Sequence, residues 1–137
     1  SPCTSSVLYA VDLVTGATTL IGAADGCMQS MVYAPDGTVY ALDRGNDNLA
    51  MLYPDATDIG SIGFPLDDSD TLAFAPGSSS LWLFAFNPDI GTNALYAVDV
   101  STGTTTLIGL MGTSTPITAV VLGGPLPDAI FAGGFDG

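Results

Sequence analysis

Residues 8–22 read LYAVDLVTGATTLIG and residues 95–109 read LYAVDVSTGTTTLIG, identical at twelve of fifteen positions and 87 residues apart. A repeat of that fidelity constrains the fold more than any other feature, because a repeated sequence is accommodated as a repeated structural unit. Within it, Leu8, Ala10 and Asp12 alternate with Tyr9, Val11 and Leu13, the two-residue period of a strand. Thr15-Gly16 interrupts the alternation: glycine supplies the positive φ of a hairpin turn, and Asp12 offers a carboxylate to the turn amides. Thr18-Thr19-Leu20-Ile21 is a β-branched return strand that Gly22 ends. The unit is a β-hairpin. A lone hairpin is marginal in water, so it needs neighbours.

A second kind of hairpin follows a loop over 23–28. Residues 30–34 and 38–43 are its strands, and Pro35-Asp36-Gly37 is its turn, proline presetting φ and glycine taking the positive value. After a polar loop the first kind returns in worn form over 49–63, with Pro54-Asp55-Ala56 as its turn and Ile62-Gly63 set against Ile21-Gly22. The second kind recurs over 71–86, Phe74-Ala75-Pro76 matching Tyr33-Ala34-Pro35 at a spacing of 41. Residues 87–93 form a loop, the near-identical copy of the first hairpin follows, and residues 117–122 and 129–132 are the last two strands. With A and B for the strands of the second hairpin and C and D for those of the first, the order is CD, ABCD, ABCD, AB: twelve strands in four-stranded units of about 40 residues, which predicts an all-β chain of propeller-type blades.

Composition supports strands and turns. All fourteen acidic residues are aspartate, glutamate, lysine and histidine are absent, and Arg44 is the sole basic side chain. Good surface helix formers are therefore nearly missing. The net charge of −13 argues against nucleic acid, whose phosphates are held by lysine and arginine, and keeps a chain of positive mean hydropathy dispersed. No apolar run is long enough for a membrane-spanning helix, so membrane insertion is not expected. Ser1-Pro2-Cys3 reads as a processed mature end, and a chain lacking both lysine and glutamate reads as secreted, extracellular or at the cell surface. In an oxidising compartment Cys3 and Cys27 would pair, within one chain or between neighbours, or they remain thiols.

The LYAVDxxTGxxTLIG and AFAPDGTLYALD patterns, carried here by residues 8–22, 32–43, 72–76 and 95–109, resemble the blades of secreted bacterial β-propeller repeat proteins. The resemblance implies blade architecture and no particular activity. The tail over 128–136 also resembles an IFxxGF[DE] ending of secreted proteobacterial proteins, which implies a natural C-terminus.

The order opens and closes in mid-blade. Joining the two halves within one chain would give three blades, fewer than the four or more that propellers use. The expectation is therefore that the AB pair meets the CD pair of another copy, head to tail, closing a ring (six blades from two chains) or propagating as a filament. Leu8, Tyr9 and Val11 on one side and Ile117, Val120, Ile130 and Phe131 on the other are the interface residues this implies. The alternative is a piece of a longer propeller.

Catalytic signals are few. Without histidine there is no Ser-His-Asp or Cys-His site and no ordinary zinc site, and no phosphate-binding glycine loop occurs. A carboxylate pair for glycoside hydrolysis stays open among so many aspartates, but nothing singles out two. Asp67, Asp68 and Asp70 are the calcium candidate; no other cofactor is expected. Asp12 and Asp99 are equivalent turn-capping residues. Trp82, Tyr9, Tyr40 and Tyr96 offer either core packing or a glycan-binding face. The leading expectation is a non-catalytic structural protein whose partners are copies of itself. The alternative is a lectin-like, ligand-binding six-bladed homodimer.

Overall fold

The computed structural model describes residues 3–112, and the backbone of residues 117–122 and 129–133. Among the described residues there are twelve strands and no helix: β1 (Ser5–Val11), β2 (Thr18–Asp25), β3 (Met28–Tyr33), β4 (Val39–Asp43), β5 (Asn48–Tyr53), β6 (Thr57–Ser61), β7 (Thr71–Phe74), β8 (Leu81–Asn87), β9 (Thr92–Val98), β10 (Thr105–Leu110), β11 (Ile117–Leu122) and β12 (Ala129–Gly133). They form four antiparallel meanders: the hairpin β1-β2, the four-stranded sheets β3-β4-β5-β6 and β7-β8-β9-β10, and the hairpin β11-β12. This is the expected strand order, and no sheet closes on itself.

Local chemistry makes the turns. The Asp12 carboxylate accepts from the amides of Val14 and Thr15 at 2.8 and 3.0 Å, and Asp99 accepts from the Ser101 amide at 2.8 Å. Gly16 and Gly103 then take φ of 74° and 79°, values a Cβ disfavours. Asp36 caps the third turn through the Thr38 amide at 2.9 Å. In each C-D hairpin a leucine faces a glycine across a bulge: Leu8 opposite Gly22, Leu49 opposite Gly60, Leu95 opposite Gly109.

That register corrects the alignment of the worn copy. The equivalent of Ile21-Gly22 is Ile59-Gly60, not Ile62-Gly63. The backbone agrees: Ile62 donates to the Asp47 carbonyl as Met111 donates to that of Asn93, both at 2.9 Å. The turn between β5 and β6 is three residues shorter than its counterparts, and the sequence offers two Ile-Gly pairs three residues apart. Two expected loops also shrink. Pairing continues past the apolar alternation, Ser5 facing Asp25 and Asn87 facing Thr92, so only 26–27 and 88–91 remain between strands.

The core lies between and within the two four-stranded sheets: Leu42, Leu49, Ile62, Leu72, Leu81 and Leu83 are almost fully buried. The sheets stack through their first strands, β3 against β7 and β7 against β11. A bulge at Ser30, with φ of 44°, turns its hydroxyl to accept from the Leu72 amide at 2.7 Å. The Gln29 side-chain amide donates to the Asp67 carbonyl. Cys3 and Cys27 are joined within the chain, tying the start of β1 to the link between β2 and β3.

Candidate assembly surface

The near-identical hairpins are in unlike surroundings. Residues 92–98 and 5–11 correspond one to one at the spacing of the repeat. Tyr96 is 5% exposed and Tyr9 is 51% exposed; Ala94 and Val98 are buried, while Val7 and Val11 are about half exposed. The difference is the neighbour. Strand β8 pairs with β9 along its length, Leu83 facing Tyr96. The Tyr96 ring lies 4.9 Å from that of Phe64, and its hydroxyl accepts from Asn87 Nδ2 at 2.9 Å. Strand β1 has β2 on one side and, among the described residues, no strand on the other. Its outer row of N–H and C=O groups is an open sheet edge, the kind of edge that recruits another strand.

A second unmatched surface adjoins the first. Met31 on β3 and Leu72 on β7 occupy equivalent positions, facing Ala41 and Leu83. Leu72 is 3% exposed because β3 and β4 lie over it; Met31 is 56% exposed. Between the β1-β2 hairpin and the β3–β6 sheet runs an open groove of about 620 Å³, lined by Leu8, Tyr9, Ile21, Met31, Tyr33 and Tyr53. At the far end of the stack β12 pairs with β11 and, among the described residues, with nothing else. Val120 faces Phe131, and Ile130 faces Val121. These strands, with Ile117, carry the other half of the expected interface; their side chains fall outside the described residues.

The remaining candidates are held in place as structure. Asp67 accepts from the Ser69 amide and hydroxyl at 2.7 and 2.6 Å, Asp68 pairs with Arg44, and Asp70 accepts from the amides of Asp67 and Phe86 at 2.8 and 3.1 Å. The three carboxylates thus serve separate partners. Among the described residues no group of three or more acidic, cysteine or histidine side chains is placed to hold a metal ion. Burial pushes the Asp70 carboxyl up to about 7, against two amide hydrogen bonds that lower it. The turn-capping carboxyls go the other way: Asp12 is lowered by the Thr15 and Val14 amides, and Asp99 by the hydroxyl and amide of Ser101. Of the aromatic candidates, Tyr96 is core, Tyr40 and Trp82 are partly buried, and Tyr40 stacks 6.0 Å from Phe74; Tyr9 lies open.

Sequence reasoning passed over Asp43. It is fully buried and accepts from the amides of Cys27 and Gly45 and from Asn46 Nδ2, at 2.8, 2.9 and 2.6 Å. Gly26, at φ of 111°, leaves it room, since a Cβ there would collide with the carboxylate. The signal was an aspartate directly after the apolar run 39–42. Comparison with known protein families and with curated proteins finds no match.

Proposed function

We propose that this chain is a non-catalytic, secreted structural subunit that assembles head to tail, β12 of one copy pairing with β1 of the next to complete a four-stranded propeller blade. The observation that carries the reading is the contrast between Tyr96 and Tyr9: one sequence, buried where a β8-type strand covers it and half exposed where none does. Burying an open edge together with its apolar rows is the ordinary driving force for strand addition. The hairpin β11-β12 has the form required. Leu122 faces Ala129 as Phe74 faces Leu81, and the β8-β9 register carried across by the repeat sets Ala129 opposite Val11, Phe131 opposite Tyr9 and Gly133 opposite Val7. The same hairpin would lay β11 on the open side of β3, as β3 lies on β7, covering Met31.

The two mating surfaces differ from one another, so the contact is heterologous and either closes or propagates. The test is sedimentation together with electron microscopy of the purified chain across a concentration series. Filaments are the expected result, and a closed two-chain ring is the outcome that would favour the ligand-binding alternative. A chain that stays monomeric at tens of micromolar refutes the proposal.

A further inference from the structure

Resting on that reading, we infer that the junction has a second part besides the paired strands: the Asp12–Ala17 turn of the copy that supplies β1 locks onto Gly109 of the copy that supplies β12. The evidence lies in the contact between the two four-stranded sheets. The turn after β9 is closed by Gly103 N–H to the Asp99 carbonyl at 2.8 Å and Asp99 N–H to the Thr104 carbonyl at 2.9 Å. It lands on β6 of the preceding sheet so closely that a Cβ on Gly60 would collide with the Thr102 carbonyl, and one on Gly103 with the carbonyl of Gly60. Two glycines therefore meet backbone to backbone. Beside them the Thr105 hydroxyl donates to the Ile62 carbonyl at 2.9 Å, and Val100, from the same turn, packs on the core.

Gly103, Val100 and Gly60 each have a counterpart that stands open among the described residues. The turn after β1 has the same two hydrogen bonds, Gly16 N–H to the Asp12 carbonyl and Asp12 N–H to that of Ala17, both at 2.8 Å. Gly16 has open space around its Cβ position. Leu13, the counterpart of Val100, is 96% exposed. On the receiving side Gly109 is the counterpart of Gly60, each facing a leucine across the bulge, and it too has nothing within 4 Å. Strand β11 continues the stacking of β7 on β3. The sheet completed on β11-β12 by a second copy's β1-β2 therefore stands to the β7–β10 sheet as that sheet stands to β3–β6. The second copy's Gly16 then falls on Gly109, its Leu13 beside β10, and its Thr18 hydroxyl within reach of the Met111 carbonyl.

Gly22 supplies the internal control. It is the third glycine of the set, but the turn that follows it in the stack, 54–56, is the short one, and nothing comes within 4 Å. Gly109 has no left-handed φ, so Gly109→Ala is unstrained in the isolated chain and clashes only in the assembly. The experiment compares wild type, Gly109→Ala, Gly22→Ala and Leu13→Asp by thermal melting under dissociating dilution and by sedimentation across a concentration series. The expected result is unchanged melting of all four dilute chains, wild-type assembly by Gly22→Ala, and assembly of Gly109→Ala and Leu13→Asp weakened roughly ten- to a hundredfold, the scale of overpacking a fitted interface. Assembly of Gly109→Ala at the wild-type concentration overturns the lock and leaves strand pairing standing. Failure of the wild type to assemble overturns both.

Discussion

Truncating Tyr9 and Tyr96 to alanine, separately, tests the assembly reading most directly, because the two positions carry one sequence in two environments. Tyr96→Ala removes a ring that packs on Phe64 and leaves Asn87 Nδ2 without its acceptor. Aromatic truncation in a core costs about 3–5 kcal/mol, and a stranded buried donor adds about 1 kcal/mol or more. At roughly 4 °C per kcal/mol for a chain of this size, the melting temperature should fall by well over 10 °C at any protein concentration. Tyr9 is half exposed and is worth about 1 kcal/mol or less in the isolated chain, in proportion to its smaller buried apolar area. In the assembly its position becomes that of Tyr96, so its cost should climb toward about 3 kcal/mol. The assay is thermal unfolding by circular dichroism at two concentrations, one below and one above the assembly threshold set by sedimentation. Tyr9→Ala should melt within a few degrees of wild type in the dilute sample and assemble only at a concentration about a hundredfold higher. An equally small effect at both concentrations, with assembly untouched, would refute the reasoning.

Three further predictions follow from groups held in place. Asp70 has a folded pKa of about 7, raised chiefly by burial from the ordinary aspartate value of 3.8. The native state therefore binds more protons than the unfolded state between those values, and its stabilising contribution is fully present below about pH 4 and lost as pH rises through 7. Urea titrations from pH 4 to 8 should show wild type losing up to about 1.4 kcal/mol per pH unit relative to Asp70→Asn, whose own curve should be flatter. Asp43→Ala strands the amides of Cys27 and Gly45 and the Asn46 side chain and should cost about 3 kcal/mol in chemical denaturation, with Asp43→Asn recovering part of it. Removing the Cys3–Cys27 bond by a Cys3→Ser, Cys27→Ser double change should cost about 3 kcal/mol for a loop of 24 residues. It should also raise the assembly threshold, because that bond anchors the hairpin carrying β1; wild type in dithiothreitol should match the double variant.

Strand number, order and hairpin pairing were legible because each rested on a short-range rule: two-residue alternation, Asp and Gly at turns, and a repeat visible by eye. Strand ends were not, because pairing ran on through Ser5-Ser6 and Asn87, polar residues that main-chain hydrogen bonds tolerate at the rim of a sheet. The worn repeat was misaligned by three residues for a reason no composition shows. Ile59-Gly60 and Ile62-Gly63 are equivalent as sequence, and only the length of the turn before them decides which lies opposite Leu49. Asp43 and Asp70 were equally hidden, one unremarked and one grouped with Asp67 and Asp68, because burial is a property of what stacks on a strand end and not of the residue there.

The surface question shows the same limit in its sharpest form. Residues 8–22 and 95–109 are nearly one sequence, so the local pattern alone gives Tyr9 and Tyr96 one environment, and only the mid-blade start of the strand order marks Tyr9 as an interface residue. The structure gives one buried and one half open, and the difference is the strand β8 that β9 has beside it and that β1, among the described residues, lacks. Turn length then decides what a second copy can do. The long turn 99–104 reaches the sheet before it, the equally long turn 12–17 stands open, and the short turn 54–56 leaves Gly22 with nothing within 4 Å, so the three-residue difference between the repeats also separates a turn of the length that reaches a neighbouring sheet from one that falls short. Edge and turn lie on the same hairpin. In the proposed assembly, a copy that pairs with β12 would bring its turn to Gly109 in the same movement, and the two contacts together would give the assembly a fixed polarity.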